Sequence, residues 1–220
     1  SLHDALPIYD TSTANNILVP SGSNAVQIGK WKVEAQNEAV TLKKITFTVR
    51  STTTASGVTD DTANSNFGTF YLYDDTNMTT PVGTASYIGG TSNGYVQFTG
   101  VNLTVPADTY KYLVVKANIT ASGVMTPGSI STLVITNDSS TNLEIVSSSG
   151  STLGTSAIDA VSGDDAANSR FATSTYHLFH NAAPVITAGV VDASGKLTQN
   201  GTAPLFKFTI TNPGDRELKI

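Results

Sequence analysis

Apolar and polar residues alternate one by one along most of this chain. In Lys30–Ala35 ("KWKVEA"), Trp31, Val33 and Ala35 point one way while Lys30, Lys32 and Glu34 point the other. In Lys44–Arg50 ("KITFTVR"), Ile45, Phe47 and Val49 alternate with Lys44, Thr46, Thr48 and Arg50. Successive side chains of a strand face opposite sides, so a strand with one buried and one wet face needs this period of two. Val40 and Leu42 fall on the opposite parity from Ile45. The Lys43–Lys44 pair therefore predicts a β-bulge or a crossing point, where one extra residue resets the facing.

More strands follow. "FGTFYLYD" predicts a strand with Phe70 and Leu72 inward and Tyr71 and Tyr73 outward. "YVQF" reads as a short strand, and "VNLTV" aims Val101, Leu103 and Val105 inward before Pro106. "YKYLVVKANI" carries Leu113, Val115, Ala117 and Ile119 on one face. Its other face, with Tyr110, Tyr112 and Val114, is half apolar, which predicts a central place in a sheet. "STLVIT", "NLEIV" and "STYHLFH" complete the set. The separators "TSNG", "TPGS", "SSSGST" and "NPGD" supply the residues that turns require. No useful window shows a helical stripe, so the pattern predicts an all-β fold, an immunoglobulin-like β-sandwich with Trp31 as the largest core member.

The organisation predicts three parts. Residues 1–8, "SLHDALPI", read as the in-frame translation of a sequencing-library adaptor rather than as natural sequence. Residues 9–181 form the sandwich. Residues 182–220 are the incomplete opening strands of a second, similar β domain. "KFTITNPGDRELKI" near the end echoes "KWKVEAQNEAVTLKKI": Trp31 aligns with Phe208, Val33 with Ile210, Leu42 with Leu218 and Ile45 with Ile220. Each copy is a strand, a polar turn and the start of a second strand, as a tandem array requires.

Composition narrows the class. Among 220 residues, 39% are hydrophobic, only 13% are charged, and none is cysteine. Disulfide staples and cysteine nucleophiles are excluded. A net charge of −5 with scattered lysines predicts no nucleic-acid partner, since phosphate binding needs clustered cations. No apolar run reaches the roughly 18 residues that span a bilayer, so no membrane segment is expected in this stretch.

Candidate chemistry is sparse. His177 and His180, three apart on one strand, face opposite ways and cannot share a metal; they read as ordinary residues near a sheet edge. No nucleophile elbow, phosphate loop or dinucleotide fingerprint occurs, so no catalytic residue is assigned. One motif recurs: "DDTANSNF" at Asp60–Phe67 and "DDAANSRF" at Asp164–Phe171. Asp60, Asp61 and Asn64, and likewise Asp164, Asp165 and Asn168, offer oxygens of the kind a calcium shell uses. The alternative is a polar turn with an Asx cap. Asp74–Asp75 reads as a hairpin loop. Tyr71, Tyr73, Tyr110 and Tyr112 are candidates for an aromatic platform that takes sugar rings; cross-strand packing is the other reading.

"VTLKKITFTV" and "YKYLVVKANI", with the composition and the partial repeat, resemble the tandem immunoglobulin-like repeats of large secreted bacterial surface proteins, including adhesin stalks and S-layer-associated chains. The resemblance implies a non-enzymatic structural or adhesive spacer at the cell surface. Its expected partners are neighbouring domains of the same chain and cell-surface polysaccharide or other surface proteins. The alternative is a carbohydrate-binding accessory module of a secreted polysaccharide-degrading enzyme.

Overall fold

The computed structural model describes residues 5–9, 17–52, 66–89, 94–121, 130–135, 142–153, 177–181, 184–189 and 207–212. All regular structure among them is strand: β1 (Ala5–Tyr9), β2 (Ile17–Pro20), β3 (Val26–Ala35), β4 (Val40–Thr52), β5 (Phe67–Asp74), β6 (Gly83–Ser86) and β7 (Gly94–Val105). There follow β8 (Thr109–Ile119), β9 (Ile130–Ile135), β10 (Leu143–Ser147), β11 (Thr152–Leu153), β12 (His177–His180), β13 (Val185–Ala188) and β14 (Phe208–Thr211).

These strands build two layers. One sheet runs β1-β3-β8-β5-β6, and the other runs β11-β10-β4-β9-β12-β2 with β7 added on β4. β7 lies along Val40–Val49 of β4, while β10 and β9 follow one another along the opposite side. The inward residues of both sheets meet in a single core. Trp31 of the first sheet packs against Phe47 of the second with ring centroids 4.7 Å apart, and Phe67 meets Phe179 edge-on at 5.3 Å. The chain is an all-β sandwich.

Facing along β4 is set by its bulge. Against β10 the register shifts between Leu42 and Lys44, so Lys43 is the extra residue toward that neighbour; against β7 the same place faces Gly100, Val101 and Asn102, so there the added residues belong to β7. As a result Val40 and Leu42 share the core with Ile45, Phe47 and Val49 despite their opposite parity. "YKYLVVKANI" becomes β8, flanked by β3 and β5 at the middle of its sheet.

Several features differ from the sequence reading. "YVQF" and "VNLTV" are one strand, β7, because Gly100 at φ 67° absorbs a register shift without ending the pairing. β2 and β6 were not anticipated; at four residues each they are too short for alternation to register. His177 lies one strand in from a sheet edge, but it is not an ordinary strand residue. β12 sits between β9 and β2, and the His177 side chain is fully buried with Nε2 3.0 Å from the Gln27 carbonyl oxygen.

At the ends, Ala5–Ile8 of the adaptor-like segment pair with β3 through Ala35–Lys32. Main-chain pairing at a sheet edge accepts any extended segment, so this position is independent of where the residues came from. β13 and β14 form a separate two-stranded sheet, with four residues between the end of β12 and the start of β13. Val185, Ile186 and Phe208 on it are at least half exposed.

Candidate functional site

The outer face of the first sheet gathers the chemistry that the described residues offer. Alternation on β3 turns Lys30, Lys32 and Glu34 outward; β8 contributes Tyr110, Tyr112, Val114, Lys116 and Asn118; β5 contributes Tyr71 and Tyr73. Register then sets the rows: Lys30 opposite Val114 opposite Tyr73, Lys32 opposite Tyr112, Glu34 opposite Tyr110, and Tyr71 opposite Lys116. All four sequence-predicted tyrosines thus share one wet face, and none lies between the sheets.

They form two pairs rather than one plane. Tyr110 and Tyr112 meet edge-on with centroids 5.4 Å apart and planes at 73°, and Tyr71 and Tyr73 are tilted by 38° at 6.5 Å. Lysine ammonium groups cap three of the rings: Lys30 over Tyr112 at 4.2 Å, Lys32 over Tyr110 at 4.5 Å, and Lys116 over Tyr73 at 5.3 Å. The ring quadrupole attracts a cation over its face; at a partly exposed site the Lys30–Tyr112 contact is worth ~0.5–1 kcal/mol. The Tyr71 hydroxyl accepts a hydrogen bond from Asn118 Nδ2 at 3.1 Å. Of the four rings only Tyr110 is mostly exposed, at 53%.

Acids complete the lattice. Asp75 pairs with Lys30 at 3.0 Å and Glu34 with Lys32 at 2.6 Å. The hydrogen bond that Lys32 Nζ donates to Glu34 is the main reason that the Lys32 ammonium is held above the ordinary lysine value, with desolvation opposing it. Beneath this layer Val114 is only 1% exposed although it faces away from the main core. The tyrosines and lysine stems therefore act as a second, thin apolar layer that seals the sheet from outside.

Asp74 and Lys111 mark the rim where β5 ends. Lys111 Nζ donates to Asp74 Oδ2 at 2.8 Å, and the Thr76 N–H donates to Asp74 Oδ1 at 3.1 Å. Burial pushes the Asp74 carboxyl up, yet these donors outweigh it and hold it below the usual carboxylate value. Both members of the Asp74–Asp75 pair are thus spent on lysines, as a hairpin loop would have it.

Asp60, Asp61, Asn64, Asp164, Asp165 and Asn168, the candidate calcium loops, lie outside the described residues. Only the end of the first loop is placed: Asn66 is buried and its carbonyl accepts from the Thr120 N–H at 3.0 Å. Among the described residues no three His, Asp or Glu side chains converge as a metal site. What sequence reasoning missed is the role of the lysines. The spacing that put Tyr110 and Tyr112 on one face also put Lys30 and Lys32 on one face, but only cross-strand register brings the two sets together. No protein-family model matches this chain, and no curated protein matches it in sequence.

Proposed function

We propose that this chain is a non-enzymatic, immunoglobulin-like module of a large extracellular bacterial surface protein, strung in series with similar modules as a structural or adhesive spacer. The observation that carries this reading is a second β unit that opens after the sandwich: β13 pairs antiparallel with β14, as Val185–Thr211, Ile186–Ile210, Thr187–Thr209 and Ala188–Phe208, in a sheet of its own. The sequence echo aligns Phe208 of β14 with Trp31 of β3 and Ile210 with Val33. Phe208 and Ile210 then stand where the first unit has two core residues, which accounts for an apolar residue as exposed as Phe208.

The test is a chimaera in which a copy of residues 46–181 follows Ile220, continuing β14 as the first unit continues β3. Under this reading β14 amides gain protection from hydrogen exchange, and scattering reports a longer particle with a second folded unit. Amides of β14 that stay unprotected, with an apolar dye still bound at Phe208, refute it. The paired aspartate loops are the calcium candidates of such a module, where a bound ion would limit flexing.

A second reading, a carbohydrate-binding accessory module, is favoured by the gathering of four tyrosines on one wet face. The lysine caps and the edge-on Tyr110–Tyr112 pair weigh against it, because a sugar ring stacks on a free, flat aromatic face. Retention on insoluble polysaccharide that Tyr110→Ala abolishes would establish it.

A further inference from the structure

We propose that the pairing of β2 with β12 is a mechanical clamp that lets the sandwich bear tension along the chain. β2 and β12, the first and last strands of the second sheet in chain order, are hydrogen-bonded to each other, and they are parallel, with Ile17 opposite His177, Leu18 opposite Leu178, Val19 opposite Phe179 and Pro20 opposite His180. Parallel direction decides how load arrives. Tension that acts on the start of β2 and the end of β12 acts on opposite ends of the pair. The strands are therefore pulled past one another along their own axes. The evenly spaced bonds of a parallel ladder are loaded together, not one after another.

The ends of the clamp are fastened further. The Ser21 N–H donates to the His180 carbonyl at 2.8 Å, and Ser21 Oγ donates to the Asn181 carbonyl at 3.0 Å. Directly after β2 the chain is tied into the other sheet: the Gly22 N–H donates to the Thr120 carbonyl at 3.0 Å and the Ile119 N–H to the Ser23 carbonyl at 2.8 Å. Load on β2 thus reaches both layers. Side chains resist slippage as well. Val19, His177 and Phe179 are buried, and Phe179 lies edge-on against Phe67 of the first sheet. Sliding the strands past one another would drag these groups out of their places in the core, which raises the barrier that governs forced unfolding.

The inference takes its biological setting from the spacer reading, but it is a property of the fold and is tested separately. The chain has no cysteine, so engineered thiols give unique attachment points. One variant carries Asn16→Cys and Ala183→Cys, which pull the pair in shear. A second carries Asn16→Cys and Tyr176→Cys, which pull from the same end of the pair and unzip it. Both leave every clamp residue in place, and equal melting temperatures establish that each is folded. In single-molecule pulling at one loading rate, the shear variant should rupture at a several-fold higher force than the unzipping variant. It should then release on the order of 600 Å of chain at about 3.6 Å per residue. Equal rupture forces would overturn the clamp while leaving the spacer reading intact; failure of the chimaera above would remove the spacer reading while leaving a measured force difference standing.

Discussion

Deleting one residue from β4 tests whether the bulge at Lys43 sets the facing of the strand. Side chains alternate strictly along an unbulged strand, so the odd spacing from Leu42 to Ile45 puts both inside only because Lys43 is extra. Deleting Lys43 makes that spacing even, and Val40, Leu42, Ile45, Phe47 and Val49 then share one face with no bulge. Deleting Thr46 instead makes Ile45 and Phe47 neighbours, and the strand must turn one set outward. The smaller set is Phe47 and Val49, both fully buried. Withdrawing one such side chain from the core costs ~1.5–3 kcal/mol, so the Thr46 deletion should cost ~3–6 kcal/mol in all. That is a large share of the ~5–15 kcal/mol by which a folded domain is stable. The Lys43 deletion keeps the core set and loses an exposed hydrogen bond from Lys43 Nζ to Asn102 Oδ1 at 2.7 Å with the local fit to the neighbouring strands, so it should cost much less. The sole tryptophan, Trp31, is fully buried and reports unfolding by fluorescence. With a urea slope of about 2–3 kcal/mol/M, the Thr46 deletion should lower the midpoint by roughly 1–3 M, and the Lys43 deletion by a small part of that. If the two variants unfold at the same urea concentration, the bulge does not set the facing of β4 and the argument fails.

Other outcomes follow from single sites. The depressed Asp74 carboxyl adds stability that is fully present above the ordinary carboxylate value of about 3.9 and is lost as pH falls through its lower folded value. Asp74→Asn should therefore be less stable than wild type at neutral pH, with the gap closing as pH falls below the ordinary carboxylate value; a gap that is constant with pH would contradict the Lys111 pairing. At Gly94 an added Cβ would overlap the Tyr87 ring, so Gly94→Ala should cost ~1–3 kcal/mol by overpacking. That cost should vanish in a Tyr87→Ala background, and a cycle showing no coupling would refute the contact. Millimolar calcium should raise the melting temperature, reversibly with chelator, if the loops at Asp60–Asn64 and Asp164–Asn168 hold the ion; an unmoved curve assigns them as polar turns.

Much of this molecule is legible one residue at a time. Alternation alone puts Trp31, Val33, Phe47, Phe70, Leu72, Leu113 and Val115 inside, and all of them are buried. The parity break at Lys43 announces a bulge because a buried face tolerates no slip. The same rule puts Tyr71, Tyr73, Tyr110 and Tyr112 outside. Facing is a local property of extended backbone, so a strand's own sequence determines it.

Partnership is not local. Which strand lies beside which depends on main-chain hydrogen bonds that look alike for every residue, and on chain segments far apart in sequence. Tertiary structure alone decided that β2, four residues near the start, runs parallel to β12, some 160 positions later. It also decided that Lys30 and Lys32 cap tyrosines of β8, that Val114 is sealed on the outward side, and that His177 belongs to the core. Alternation says which way a side chain points; only the pairing says what it meets.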